Sequence, residues 1–450
     1  MNQTEIRGAL SLAFVYLMRM LGLFMVMPVL VVLAQDYPDY TPVWVGAAIG
    51  AYGLSQALLQ IPMGMLSDKL GRKPVIIGGL VLFAFGSLIA AMADSMWLLT
   101  LGRFLQGTGA IAGAIMALAA DISRENQRSK VMATIGIAIG FSFYLSLIIG
   151  PLLAASAGLQ GIFLITAVLA LICIPLVLFG VPNVLVNAPS GDTLPGKSQI
   201  KHILQSKSLL RLNVSVLLLH MMITLVFVQF PVNLQNLGWE LGQHWMLYLP
   251  ILLLAIVGMA LLMGAGRKLP GHVVIIVALW LMAIAFVGLA NLADSFYGLM
   301  AFIILFFTGF NYLEANLPAM VANIAPPGKK GSAMGVYASF QFFGAFLGGL
   351  VSGLILANFG SQLVWYLAAG ICILWTGLFV GFHASERLSR YTLTLNLAGR
   401  DLATLQTEFN ALPGISEYTI VPDESAVYLK VQGKHFDILQ ARKLADPEEN

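Results

Sequence analysis

The sequence predicts an all-α polytopic membrane protein with a small α+β domain appended near its C-terminus. Three observations carry this. The chain is 59% hydrophobic and only 10% charged, whereas soluble domains carry about 25% charged residues. Its apolar residues gather into twelve runs, most of them long enough to cross a bilayer as a helix. Basic residues concentrate in every second gap between those runs. The mean hydropathy is +0.87, in keeping with a lipid-facing exterior.

The runs lie near 8–34, 43–65, 74–93, 97–120, 130–156, 160–180, 209–235, 243–265, 270–291, 295–321, 331–356 and 362–381. The first follows a few polar residues without a small-residue cleavage signature, so it reads as a retained span. Lys69, Arg72 and Lys73 fill one short gap, and Arg124, Arg128 and Lys130 another. Lys197, Lys201, Lys207 and Arg211 lie in or beside the long segment 181–208. Arg267 with Lys268, and Lys329 with Lys330, fill two more. The alternate gaps hold no Lys or Arg. This asymmetry predicts that the basic side and both termini are cytoplasmic, in a multi-pass membrane protein. Cys173 and Cys372 both sit in apolar runs, which excludes a disulfide framework or a cysteine metal site.

The two halves of the membrane region echo each other. Phe24-Met25-Val26-Met27-Pro28-Val29 recurs as Phe227-Val228-Gln229-Phe230-Pro231-Val232, and Ala93-Asp94-Ser95 as Ala293-Asp294-Ser295. The offset is about 200 residues, which predicts a duplicated six-span unit. Residues 1–180 form the first bundle and 209–381 the second. The segment 181–208, with Pro182, Pro189, Gly191, Pro195 and Gly196, reads as the linker between them. Gly71-Arg72-Lys73 recurs as Gly266-Arg267-Lys268, but Met263 stands opposite Asp68 and Asn323 opposite Asp121. The acids survive only in the first half.

After a short linker, 382–390, the pattern changes. Tyr391–Leu397 alternates polar and apolar residues as a strand does, and 399–411 reads as an amphipathic helix. Residues 415–420 and 426–431 read as a hairpin across Pro422-Asp423-Glu424-Ser425, and 434–444 as a second helix. The order β-α-β-β-α predicts a small ferredoxin-like module over 391–450 that lacks its last strand. So short a domain points to docking or self-association, or to a regulatory role.

The stretch Gly64-Met65-Leu66-Ser67-Asp68-Lys69-Leu70-Gly71-Arg72-Lys73 sits between two spans. It resembles the signature loop of the major facilitator superfamily. The resemblance covers residues 1–381 and implies two pseudo-symmetric six-helix bundles that work by alternating access. Asp68 falls at the C-terminal, negative end of the second span, where a carboxylate is disfavoured by about 0.3–1 kcal/mol. Something positive must therefore face it. One candidate is the N-terminus of the eleventh span after Pro327-Gly328; the others are Arg72 and Arg128. Gly64, one turn before Asp68, would let that span approach closely. The expectation is that Asp68 latches the bundles together while Arg72 pairs with Asp121, with Gly71, Lys73 and Arg128 completing the latch. A purely topological role for these charges is the alternative.

Four ionisable residues fall inside apolar spans: Arg19 in the first, Arg103 in the fourth, His220 in the seventh and Glu314 in the tenth. A charge at mid-bilayer costs about 2.5–3.5 kcal/mol on insertion scales, so these side chains need water or partners. The family resemblance implies that helices 1, 4, 7 and 10 line a central cavity. Arg103-Phe104-Leu105-Gln106-Gly107 is similar to the family's fourth-helix motif, which is associated with proton coupling. Glu314 is the expected titrating carboxylate, the alternative being a permanent pair with Arg19 or Arg103. His220 is a second proton candidate. Gly150-Pro151, Leu21-Gly22 and Pro28-Val29 resemble the twelve-span drug–proton exporter branch, although Leu152-Leu153-Ala154-Ala155 replaces its trailing glycines. Members of that branch are known with a C-terminal ferredoxin-like domain. The remaining cavity residues are expected to be Tyr52, Gln56, Gln60, Gln229, Asn233, Asn311, Asn316 and Gln341.

These readings predict a proton-driven antiporter that exports small apolar or amphiphilic molecules. A proton-coupled uptake symporter is one alternative. A membrane sensor signalling through residues 391–450 is another. The partners are then a small-molecule substrate, protons and the lipid bilayer, with no nucleic acid. No nucleotide-binding loop, metal-ligand cluster or nucleophile–base spacing is present, so neither an enzyme nor a cofactor beyond the proton gradient is expected.

Overall fold

The computed structural model describes residues 1–182, 197–327, 329–381, 389–396, 400–422, 425–432 and 436–446. The expected linker residues Pro189, Gly191, Pro195 and Gly196 lie outside the described residues, as do Gly328, Asp423 and Glu424 and most of 382–390.

Helix α1 (Gln3–Leu33) starts at a reciprocal cap. The Asn2 side chain accepts from Glu5 N at 2.8 Å and Glu5 Oε2 accepts from Asn2 N at 2.7 Å. Two N–H groups that lack intrahelical partners are satisfied in this way. Helix α2 (Pro42–Leu70) is capped by Thr41 and stops at Gly71, whose φ of 91° suits glycine. Helix α3 is Arg72–Ala91.

The expected fourth span departs from a single helix. It is two pieces, α4 (Met96–Thr108) and α5 (Ala112–Asp121), separated at Gly109–Ile111. Gly107, Gly109 and Gly113 crowd this point, and each glycine costs a helix about 1 kcal/mol relative to alanine. Gly109 also lies against α3, where an added Cβ would sit 2.3 Å from Gly79 O. Helix α6 (Glu125–Pro175) contains the expected fifth and sixth spans, joined at Gly158, where φ is 63° and ψ is −170°. A π-helical turn, Leu176–Gly180, follows.

The second half comprises α7 (Lys197–Gln205), α8 (Lys207–Asn236), α9 (His244–Ala265), α10 (Gly271–Leu292), α11 (Phe296–Ile324), α12 (Lys330–Phe359) and α13 (Ser361–Thr376). Among the described residues, ten helical segments are long and apolar enough to cross a membrane. One of them is the double helix broken at Gly158, and α13 is a shorter apolar helix extended by hydrogen-bonded turns to Phe379. Together these account for the twelve expected crossings.

Buried apolar side chains form separate cores in the two halves, one around Leu12, Leu80 and Ile115 and another around Leu219, Phe286 and Trp365. The seam between them is built from glycine. A Cβ added to Gly46 would sit 2.1 Å from Gly349 O, one on Gly53 2.6 Å from Phe342 O, and one on Gly353 2.5 Å from Pro42 O. These approaches lie at the end of α2 and α12 opposite the Gly64–Lys73 loop. Each partner atom is backbone, which cannot rotate aside. Gly46→Ala is therefore expected to disfavour the closed seam by about 1–3 kcal/mol. Spin labels placed at the Pro42 end of α2 and the Phe359 end of α12 would report the distance increase.

The C-terminal module contains β1 (Ser389–Thr394), α14 (Leu402–Ala411), β2 (Ile415–Val421), β3 (Ala426–Val431) and α15 (Ile438–Ala445). The sheet is antiparallel with order β1-β3-β2. Leu393 and Leu395, Val427 and Leu429, and Leu405, Phe409 and Ala441 close one core between the sheet and the two helices. The central position of β3 gives the split β-α-β arrangement that the alternation of residues implied.

Candidate functional site

The loop between α2 and α3 is organised by one guanidinium. Arg72 Nε donates to Asp121 Oδ2 at 3.1 Å, and Arg72 Nη1 donates to Asp68 Oδ1 at 2.6 Å and to Ser67 Oγ at 3.2 Å. The Arg72 and Asp121 side chains are 4% and 2% exposed, so this pair is enclosed, whereas the Asp68 side chain is 38% exposed. Arg72 thus bonds Asp121 and Asp68 together in this structure, whereas the expectation left Asp68 to the second bundle. Asp68 is held by Arg72, four residues on, and the N-terminus of α12 does not hold it. The reason is geometric: Gly71 turns the chain so tightly that the start of α3 lies beside the last turn of α2.

The other loop residues fall into distinct settings. Gly64 is buried, and its carbonyl accepts from Ser67 Oγ at 2.7 Å. Lys73 Nζ donates to Val181 O at 2.7 Å, at the end of the sixth span. Arg128 Nε is buried without a hydrogen-bond partner. The neighbouring Arg124 donates to Glu5 from N, Nε and Nη2 at 3.0, 2.9 and 3.1 Å. Those hydrogen bonds raise the Arg124 pKa above its ordinary value. They also tie the start of α1 to the α5–α6 turn.

Arg19 and Arg103 are 1% and 2% exposed and lie within the first bundle, so neither lines open space. Arg19 Nη2 donates to Tyr52 Oη at 3.2 Å, Gln56 Oε1 at 3.1 Å and Gly109 O at 2.8 Å. The last acceptor exists because the fourth span is broken there. Arg19 Nε and Nη1 have no hydrogen-bond partner, and the guanidinium lies 5.7 Å from the Phe83 ring centroid. Arg103 donates to Ala48 O at 3.3 Å and to Gln106 Oε1 at 2.8 Å, and Gln106 Nε2 donates to Ser87 Oγ at 2.7 Å. Arg103 stands 5.1 Å from the Tyr52 ring centroid, so Tyr52 is gripped at its hydroxyl by one arginine and on its face by the other. The far side of Tyr52 meets Phe342 of α12, edge on, at 6.3 Å. Tyr52→Phe removes an acceptor from an enclosed cation. It is expected to destabilise the first bundle by about 1–3 kcal/mol, read as a lower melting temperature.

Glu314 and His220 come together in the second bundle. His220 Nε2 is 3.8 Å from Glu314 Oε2, and neither arginine is among the carboxylate's ion-pair partners. The Gln341 amide lies 2.7 Å from His220 Nε2, and His220 Nδ1 lies 3.2 Å from Val216 O. The Gln341 amide N–H donating to Nε2 fits the tautomer whose Nδ1–H donates to Val216 O. Glu314 Oε2 and Asn311 Nδ2 are buried without hydrogen-bond partners, while the Glu314 side chain as a whole is 39% exposed. Gln229 and Asn233 also keep buried amide atoms unbonded, and Asn316 folds back onto Tyr312 O of its own helix.

Reasoning from sequence missed the aromatic chain that joins the halves. Phe24 of α1 meets Phe143 of α6 at 5.2 Å, Phe143 meets Phe227 of α8 at 6.2 Å, and Phe227 meets Phe307 of α11 at 6.3 Å. Phe307 meets Phe310 at 6.2 Å, and Phe310 meets His220 at 6.3 Å. The available signal was the matched Phe24 and Phe227 of the internal repeat.

The Major Facilitator Superfamily model matches residues 12–313 and 268–410. Inner membrane transport protein YajR of Escherichia coli (strain K12) is 36% identical, with 99% of each chain covered. Multidrug resistance protein MdtH of Aeromonas hydrophila subsp. hydrophila is 27% identical over 76% of this chain and 85% of its own. Among solved structures, a bacterial homolog of the human lysosomal transporter Spinster, in an inward-facing and occupied conformation, superposes with a TM-score of 0.70. It is 12% identical over 84% of this chain and 97% of its own.

Proposed function

The chain belongs to the Major Facilitator Superfamily, and from that premise we propose that it exports small apolar or amphiphilic molecules in exchange for protons. The observation that carries this reading is the Glu314–His220 pair, 3.8 Å apart, with Glu314 Oε2 unbonded. A carboxylate and an imidazole at this separation exchange a proton after a small movement. Phe24 and Phe143, the half-buried members of the aromatic chain, offer apolar surface to the solute, backed by the buried rings of Phe227 and Phe307. The multidrug resistance relative supports export.

Lys and Arg distribution supports a cytoplasmic location for the loop end and both termini, in an inner membrane. The glycine seam then closes the opposite, outer side. Asp68 is the inner latch, held off by Arg72 in this state. It reaches the second bundle when the inner side closes. Flux of an apolar dye from proteoliposomes, with and without an imposed pH gradient, tests the reading. Gradient-driven movement is expected; binding without movement would overturn it. Asp68→Asn is expected to slow flux while leaving folding intact, and undiminished flux would remove the latch.

A further inference from the structure

At the loop end of the first bundle, the start of α1 and the turn after α6 enclose a recess of about 500 Å³. Thr4, Arg7, Leu178, Phe179, Val181 and Pro182 line it, and among the described residues no acidic side chain does. Arg7 donates through Nη2 to Phe179 O, and Lys73 Nζ donates to Val181 O at 2.7 Å. Two cations are thus fixed beside the recess by the carbonyls that end the sixth span. Nearby acids are engaged elsewhere: Glu5 with Arg124, and Asp68 and Asp121 with Arg72.

Below this basic rim the surface is apolar. Leu10 and Phe14 follow Arg7 on the same exposed face of α1, at spacings of three and seven residues, and Phe179 of the π turn is 75% exposed. A fixed positive rim above an exposed hydrocarbon wall, at the end of membrane-crossing helices, matches a glycerophospholipid. We propose that this recess binds an anionic phospholipid. Its phosphate lies at Arg7 and the Thr4 hydroxyl, with Lys73 as second cation, and one acyl chain lies along Leu10, Phe14 and Phe179. An anionic headgroup is favoured over a zwitterionic one because two cations, Arg7 and Lys73, stand at the rim and none of the described lining residues is a carboxylate that could receive an amine. The lipid would fasten the exit of the sixth span at Pro182, where the inter-bundle linker begins. This proposal stands apart from the transported solute.

The test uses the full-length protein in detergent and in nanodiscs. A photoactivatable phosphatidylglycerol is expected to label peptides from the start of α1 and from 176–182. Excess phosphatidylglycerol should compete and phosphatidylcholine should not. Arg7→Gln is expected to cut labelling about fivefold, and Arg7→Lys to restore most of it. In thermal unfolding, phosphatidylglycerol should raise the melting temperature of the wild type, and inorganic phosphate alone should not. Equal competition by phosphatidylcholine, or unchanged labelling in Arg7→Gln, would overturn the proposal. Equal stabilisation by inorganic phosphate would also overturn it, replacing the lipid by a free anion. The wild-type competition decides the matter even if Arg7→Gln fails to fold.

Discussion

Replacing Arg72 by glutamine is expected to destabilise the first bundle by about 3–5 kcal/mol, the range for breaking an enclosed ion pair from one side. The guanidinium is 4% exposed and meets Asp121, which is 2% exposed, so neither charge can be rescued by bulk water. Asp68→Asn should cost about 0–1 kcal/mol, because the Asp68 side chain is 38% exposed and its pair with Arg72 is partly screened. The contrast separates two functions of one arginine. Its bond to Asp121 holds α3 against the end of α5, and its bond to Asp68 holds a partly exposed carboxylate at the end of α2. Heating purified variants and measuring the loss of monodisperse protein would read the first. Flux would read the second. A melting temperature of Arg72→Gln equal to that of the wild type would show that the pair with Asp121 does not hold the bundle.

Glu314→Gln is expected to remove proton drive. The amide keeps the shape of the side chain and fixes it as neutral, so the variant resembles the protonated state at every pH. Proton-driven flux should fall by about 5–150-fold, the range of ordinary coupling free energies. Solute exchange without a gradient should persist, because the aromatic chain from Phe24 to Phe310 is untouched. The pH dependence of flux should flatten as well. His220→Gln should give an intermediate loss, since it removes the neighbouring imidazole 3.8 Å away and leaves the carboxylate. If flux in Glu314→Gln kept the wild-type dependence on pH, another group would be the proton carrier.

The crossings were legible because hydropathy and loop charge act locally, residue by residue. The C-terminal module was legible for the same reason: alternation in Tyr391–Leu395 and in Ala426–Val431 fixes which side chains enter its core. The break in the fourth span was not legible. Gly107-Thr108-Gly109-Ala110-Ile111 is as apolar as its surroundings, and the Gly109 carbonyl at the break accepts from Ile111 N and also from Arg19, 90 residues earlier. The union of His220 with Glu314 was hidden for a similar reason, because hydropathy places both in helices without setting which helices touch. Asp68 was misjudged on a different ground. Its environment depends on which side of the molecule is closed, and one sequence encodes both conditions.

The division at Gly109 makes α5 a separate ten-residue strut. Beyond its mid-membrane end, Arg19 donates to the Gly109 carbonyl; at its loop end, Arg72 donates to Asp121. A path of direct bonds thus runs from Arg19, deep in the bundle, along a helix about 15 Å long to the residue that pairs with Asp68. The centre of the membrane and its surface are joined by one short helix, pinned at both ends by arginines from neighbouring helices.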